Sequence, residues 1–261
     1  MSQEESAYDK IVFTDLQQEI AKFILHTPAP GKHSARNAIY CIEKAWQLRH
    51  IDANMAAFRC ITAEEEAATA IFHALKRRRY IGADRLNYRS HLHKLSLLPF
   101  FQAIADIFHK TVNMYKPQLI WNRMEKKPRL RLRLTVNIPG GETLHAEPQP
   151  PLYFTTLVNG KKYDFARELE KVATERKMKD IMDHLRNVAN FRNRLLYAGS
   201  DGIPDVTIHD TAILRKRDIV IIHLAIYLLI DQYKEQQLFA QQALDAFLKM
   251  LRVIPKEISI T

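Results

Sequence analysis

Two cysteines, seven glycines and the want of any long uninterrupted apolar run are the scarcities that first constrain this 261-residue chain. Cys41 and Cys60 cannot complete a four-ligand zinc site without other donors, nor can they form a disulfide framework. The opening MSQEESAYDK is polar and acidic, so no secretory leader is expected. A reducing, cytoplasmic setting with two free thiols follows as the simplest expectation. The longest apolar run, Ile219 to Ile230, is interrupted by His223 and falls short of the roughly 20 residues that cross a bilayer. It reads as a buried helix, and no membrane partner is expected. So few glycines argue against a sheet-rich or loop-rich fold.

What is present is a core-forming composition with an excess of positive charge. At 47% hydrophobic the chain is globular overall, long enough for one large domain or two small ones. Lys and Arg number 39 against 29 Asp and Glu, a net charge of +10. That balance favours nucleic acid or another anionic partner and carries no information about fold.

Helical periodicity runs through most of the chain. Residues 7–26 read as a helix stopped by Pro28-Ala29-Pro30-Gly31. Ser34 is a plausible N-cap for a second helix to about Arg49. A third is expected from near Asp52 to Arg79, with Phe58, Ile61, Ala68, Phe72 and Leu75 inward. It ends in Lys76-Arg77-Arg78-Arg79, read as a solvated helix end that suits the helix dipole. Residues 83–110 form a further helical segment, continuing to near Arg123. His91 and His93 do not share a helical face, which argues against a metal site there. Helix resumes over 166–197, and two more helices are expected at 211–233 and 234–252. Gln232, Gln236, Gln237, Gln241 and Gln242 make a polar face there.

Between these helical halves the period changes to two. Arg129 to Ile138 alternates strictly, as a half-exposed strand does. Pro139-Gly140-Gly141 turns it, and 144–147 is expected to return. Asn159-Gly160 between two strand-like runs (152–158 and 161–165) is a strong hairpin signal. The expected architecture is a single mainly α domain over 1–261, an antiparallel helical bundle over 7–127 and 166–252. A small antiparallel β insertion interrupts it at about 128–165. Arg129, Arg131 and Arg133 project from one face of the first strand, a surface suited to phosphate contacts or simply to keeping an edge strand soluble.

One polar residue breaks an otherwise apolar stripe. Ile181, Leu185, Val188 and Leu195 mark one face of the helix that leads to a Gly199–Pro204 loop. Arg192 falls about 20° from the centre of that face, at 100° per residue. An unpaired buried charge costs several kcal/mol or more, so Arg192 must be paired, snorkelled or turned to a polar cleft. The third helix offers a partner. Glu65 lies about 40° from the centre of its apolar stripe and Glu64 at the other margin. The competing expectations are a Thr62–Glu65 capping box, or glutamates that merely solvate one side.

A late helix ending in Arg192-Asn193, with Tyr197 where a histidine would stand, resembles the HEPN (higher eukaryotes and prokaryotes nucleotide-binding) superfamily. Ala35-Arg36-Asn37-Ala38-Ile39 through Ala63-Glu64-Glu65-Glu66-Ala67 resembles the paired-glutamate helical hairpin of its AbiV-type abortive-infection branch. The two stretches cover about 34–76 and 166–198, less than half of the chain, and the β insertion is no part of the minimal pattern. Active members are metal-independent RNases that work as dimers. The resemblance therefore implies RNA or nucleotide as partner, a homodimer, no cofactor and no metal. Arg192 would stabilise phosphorane charge and Asn193 would orient the phosphate. A general base must titrate near neutrality, where a tyrosine hydroxyl does not. Tyr197 thus leaves two outcomes open: a defence- or toxin-type endoribonuclease, or a non-catalytic RNA- or nucleotide-binding or regulatory module. His184, about 80° around the helix from Arg192, is a further candidate. Glu65 completes the catalytic set, and Arg129, Arg131, Arg133, Arg186 and Arg194 are the nucleic-acid-binding candidates. A carboxylate and histidine metal enzyme built on Glu64 or Glu65 with His91 or His93 is a third class, though the chain lacks the Glu-x-x-His pairs of such bundles.

Overall fold

The computed structural model describes residues 10–111, 118–122, 129–137, 143–153, 156–158, 161–163, 166–167, 169, 177–197, 202 and 204–253. The chain is mainly helical and carries a small three-stranded antiparallel sheet.

Capping chemistry sets where the first helices begin. Thr14 and Gln17 form a reciprocal capping box, so α1 runs Asp15–Ile24 and not from residue 7. Residues 1–9 lie outside the described residues. The next helix, α2 (Gly31–Leu48), starts directly after Pro30, earlier than a Ser34 cap would place it. Asp52 caps α3 (Ala53–Arg77), its carboxylate accepting from the Met55 amide at 2.9 Å. Thr62 lies mid-helix and its hydroxyl donates to the Phe58 carbonyl, so the Thr62–Glu65 capping box does not exist.

The centre of the molecule is α3. Its alanines at 56, 57, 63, 67, 68, 70 and 74 are all buried, which lets neighbours approach closely. It packs against α2 and against a later helix, α7 (Asp210–Asp231), and its remaining side meets the short α4 (His91–Leu95) and α6 (Lys177–Leu196). Gly31 of α2 makes a close approach possible, since a Cβ there would sit 3.0 Å from the buried Tyr227 ring of α7. The apolar run Ile219–Ile230 is indeed the buried half of α7. Among the described residues no helix is long and apolar enough to cross a membrane.

The expected helix at 83–110 is broken into three pieces. A single 3-10 turn (Ala83–Arg85) is followed by α4 (His91–Leu95) and α5 (Leu97–Thr111). Polar side chains make the breaks. Ser90 accepts from the His93 amide to cap α4, and the Ser96 hydroxyl donates to Leu92 O at 2.6 Å where α4 gives way to α5. The helix also does not continue to Arg123. Residues Gln118–Asn122 form β1, which pairs antiparallel with β2 (Arg129–Asn137) in the register Gln118↔Arg133 to Asn122↔Arg129. Pro117 disfavours helix at this point, and Leu119-Ile120-Trp121 favours a strand. The sheet therefore begins at 118, not about 128. Trp121 packs edge-on against Phe23 of α1 at 5.1 Å, which ties the sheet to the bundle.

The second half of β2 pairs with β3 (Thr143–Ala146), and β4 (Thr156–Val158) pairs with β5 (Lys161–Tyr163). The Pro139-Gly140-Gly141 and Asn159-Gly160 turns lie outside the described residues. Ala166, Arg167 and Leu169 have helical backbone, and α6 is described from Lys177 to Leu196. The last helix, α8, is Leu238–Val253.

The helix end expected to be solvated and the glutamine-rich polar face are in fact sutures. Arg77 grips the Asp231 carboxylate, with Nε at 2.8 Å, and Arg78 Nε donates to its carbonyl at 3.0 Å, so the arginine run closes the C-terminus of α7. Gln237 is fully buried, accepting from the Leu152 amide and donating to Leu229 O. Gln232 accepts from the Leu130 amide of β2. The glutamines stitch sheet, loop and bundle where unpaired backbone groups would otherwise be buried.

Candidate functional site

Glu65 is the point on which α3, α4 and α6 converge. Its side chain is 4% exposed as a residue, deep enough that an unmatched carboxylate would be strongly disfavoured. Three side chains answer it. His91 Nδ1 lies 2.7 Å from Oε1, Lys94 Nζ 3.1 Å from Oε2, and Arg192 Nε 3.8 Å from Oε1. His91 and Lys94 are i and i+3 on α4, one face of a short helix, which is why both reach the same carboxylate. Burial alone would push the Glu65 carboxyl up. The His91 hydrogen bond and the Lys94 charge outweigh it and hold the group below the usual carboxylate range.

This geometry fixes the tautomer of His91. A carboxylate only accepts, so Nδ1 must carry the proton, and in the neutral ring Nε2 keeps its lone pair. His91 is about one-third exposed while Glu65 is buried. A carboxylate orienting an imidazole whose other nitrogen is free to take a proton is the arrangement a general base needs.

Arg192 is the looser member. At 3.8 Å its contact with Glu65 is an ion pair beyond hydrogen-bond length, and its buried Nε has no hydrogen-bond partner. The guanidinium stacks over Phe58 of α3, 5.2 Å from the ring centroid, the cation–π geometry of a partly desolvated arginine. The expected pairing of Arg192 with Glu65 across facing helices is present. Glu64, one residue earlier, turns to α7 and takes Lys216 Nζ at 2.5 Å. The two glutamates thus serve opposite sides of the central helix, and neither merely solvates it.

The remaining candidates are not all brought together. Asn193 and Arg194 lie on the other side of α6, beside an open depression of about 820 Å³ that Asn187 and Asn190 also line. Tyr197 follows the end of α6 and is 69% exposed. The side chain of His184 lies outside the described residues. Arg186 is exposed and pairs with Asp183 at 3.5 Å. On β2, Leu130, Leu132 and Leu134 are buried, and the alternating arginines have partners of their own. Arg129 sits over the Tyr233 ring, while Arg131 and Arg133 share Glu147 at 3.6 and 2.6 Å. Arg129 thus packs just past the C-terminal end of α7, and Arg131 and Arg133 have their charge partly matched by Glu147; none of the three contacts Glu65 in the described geometry.

The sequence brings His91 or His93 to Glu64 or Glu65 only as metal ligands, and does not place Lys94 beside His91 on Glu65. The available signal was their i, i+3 spacing. His93 is used otherwise, its Nδ1 accepting from the Asn87 amide. Among the described residues no three His, Cys, Asp or Glu side chains are grouped to hold a metal ion. Comparisons with protein-family models, with curated proteins and with solved structures return no match to this chain.

Proposed function

We propose that this chain is a HEPN-like, RNA-directed protein of the cytoplasm, acting as a homodimer and cleaving RNA without a metal in a defence- or toxin-type role. The observation that carries the reading is the meeting of His91 and Arg192 on Glu65. The resemblance left the chain one histidine short, with Tyr197 in its place. His91 of α4 supplies an imidazole on the same carboxylate that holds Arg192. In the reaction this supports, His91 Nε2 takes the proton of a ribose 2′-hydroxyl and the 2′-oxygen bonds to phosphorus. The P–O5′ bond breaks, and the imidazolium returns its proton to the departing 5′-oxygen. Glu65 orients the ring, and the Arg192 guanidinium offsets charge on the phosphorane oxygens.

The second reading is an RNA- or nucleotide-binding module without turnover. Exposed Tyr197 favours it, since the position that holds a histidine in active relatives contributes nothing described to the Glu65 cluster. The test is a metal-chelated assay of single-stranded RNA binding and cleavage, with wild type, Arg192→Ala and His91→Ala compared after their folding is checked. Cleavage lost in Arg192→Ala and lowered about 10²- to 10⁴-fold in His91→Ala supports the nuclease. Arg192-dependent binding with no cleavage supports the module. Neither binding nor cleavage leaves the cluster a structural ion network and refutes both readings.

A further inference from the structure

Three residues ahead of His91 the chain sets an open aromatic ring among cations. Tyr88 is 41% exposed, and the His73 ring of α3 packs against it at 5.4 Å with a tilt of 35°. Lys76 Nζ stands 5.3 Å from the Tyr88 ring centroid and Arg89 Cζ 5.8 Å. The loop that carries the ring is pinned. Lys76 donates to Leu86 O at 2.6 Å, Asn87 Oδ1 accepts from the Arg89 amide, and the Asn87 amide donates to His93 Nδ1. Among the described residues neither Lys76 nor Arg89 is matched by a carboxylate. The local field is positive: His73 and His93 are both held below the ordinary imidazole value, by burial first and then by the Lys76 charge.

A ring that is 41% exposed, with an imidazole packed against it and two cations within 6 Å of its centroid, suits a planar base joined to phosphates. A bare phosphate gains nothing from the ring, and an uncharged aromatic gains nothing from the cations. Tyr88 and His91 are three peptide units apart, so their Cα atoms lie within about 11 Å. A base stacked at Tyr88 would place a neighbouring nucleotide near the Glu65 cluster.

We propose that Tyr88, with Lys76 and Arg89, is a nucleotide subsite for single-stranded RNA, stacking one unpaired base and holding its phosphates beside His91. The subsite rests on the RNA-directed reading above. Base–aromatic stacking contributes about 1–3 kcal/mol, so Tyr88→Ala weakens binding roughly 5- to 150-fold while Tyr88→Phe retains it. Arg89→Gln weakens binding and lowers the salt slope by about one.

The experiment is fluorescence anisotropy of the full chain with a short labelled single-stranded RNA and a set carrying one abasic site at each position in turn. In wild type one abasic position is expected to cost the same factor as Tyr88→Ala, and in Tyr88→Ala that penalty disappears. A flat abasic scan in wild type overturns the subsite even where Tyr88→Ala fails to fold. RNA binding that depends on Arg192 but not on Tyr88 overturns the subsite and leaves the RNA-directed reading standing. No RNA binding by wild type overturns both.

Discussion

His223 offers the sharpest physical test of the fold. It lies on the buried half of α7 at 2% exposure, with the Phe101 ring 5.4 Å away and no hydrogen-bond partner for either ring nitrogen. Burial, followed by the charge of Lys216 two turns upstream, pushes its pKa down to about 4. An unfolded histidine titrates near 6.5. Between those values the unfolded chain holds a proton that the folded chain does not. Stability is therefore complete above about pH 6.5 and falls as the pH drops toward 4. Integrating the proton difference for this one group gives a loss of about 2 kcal/mol between pH 7 and pH 5, and about 3 kcal/mol by pH 4.

The assay is urea unfolding followed by circular dichroism from pH 7.5 to pH 5, with His223→Leu alongside wild type. Other carboxylates and histidines contribute to the slope in both proteins, so the difference between the two curves isolates His223. The variant should be as stable as wild type or more so at pH 7, because it removes two unpaired buried nitrogens. Its curve should then fall about 2 kcal/mol less by pH 5. Parallel curves would refute the reasoning and require a charged or hydrogen-bonded His223 in the folded protein.

Two further outcomes follow from the same core. Glu65→Gln keeps the shape of the side chain but strands Lys94 beside a neutral amide, and an unmatched buried charge typically costs about 3–5 kcal/mol, read here by urea midpoint at neutral pH. Because the wild-type carboxyl titrates below its usual range, that stability persists above the unfolded carboxylate value and is lost only as pH falls through the lowered one, so a variant within 1 kcal/mol of wild type at neutral pH would contradict the network. Burial raises the Cys41 thiol and raises Cys60 to about 12, so both should react with a thiol reagent in native protein only as fast as the chain opens; rapid native labelling would contradict the packing of α2 on α3.

Periodicity carried the parts of the fold that local chemistry decides. The three-helix opening, the buried run in α7 and the alternating strand at 129–137 follow from which faces must be apolar, and the pairing of 156–158 with 161–163 from the Asn159-Gly160 signal between them. The misses have two causes. Residues 118–122 have apolar content that a helix and a strand can both use, and the deciding contact, Trp121 on Phe23, is distant; 83–110 is broken locally, by polar side chains such as Ser96 turning back on Leu92 O. Arg77 and Arg78 read as a solvated helix end, and Gln237 as part of a polar face, because a charged or amide side chain is usually exposed. Their partners, Asp231 O, Leu152 N and Leu229 O, are backbone or remote groups with no signature in sequence. At the site, helical geometry put Glu65 and Arg192 near their apolar stripes, and that displacement was the clue to their pairing. His91 and Lys94 were hidden because α4 has only the single turn from His91 to Leu95, too short to show a period.

The division of labour around Glu65 bears on what Arg192 is for. A buried carboxylate needs close donors, and His91 at 2.7 Å with Lys94 at 3.1 Å supplies one to each oxygen. Arg192 arrives at 3.8 Å, outside hydrogen-bond length, on the oxygen already taken by His91. The network would thus satisfy Glu65 without it, and Arg192 leaves its own Nε unpaired in joining. A purely structural arginine on an apolar stripe would be expected to form the bidentate pair its geometry favours. One held by a loose ion contact and a phenyl face keeps donors available for an anion that arrives later. On the RNA-directed reading proposed above, that is the property a phosphate-binding arginine requires, and Lys94 is the member of the cluster whose work is structural.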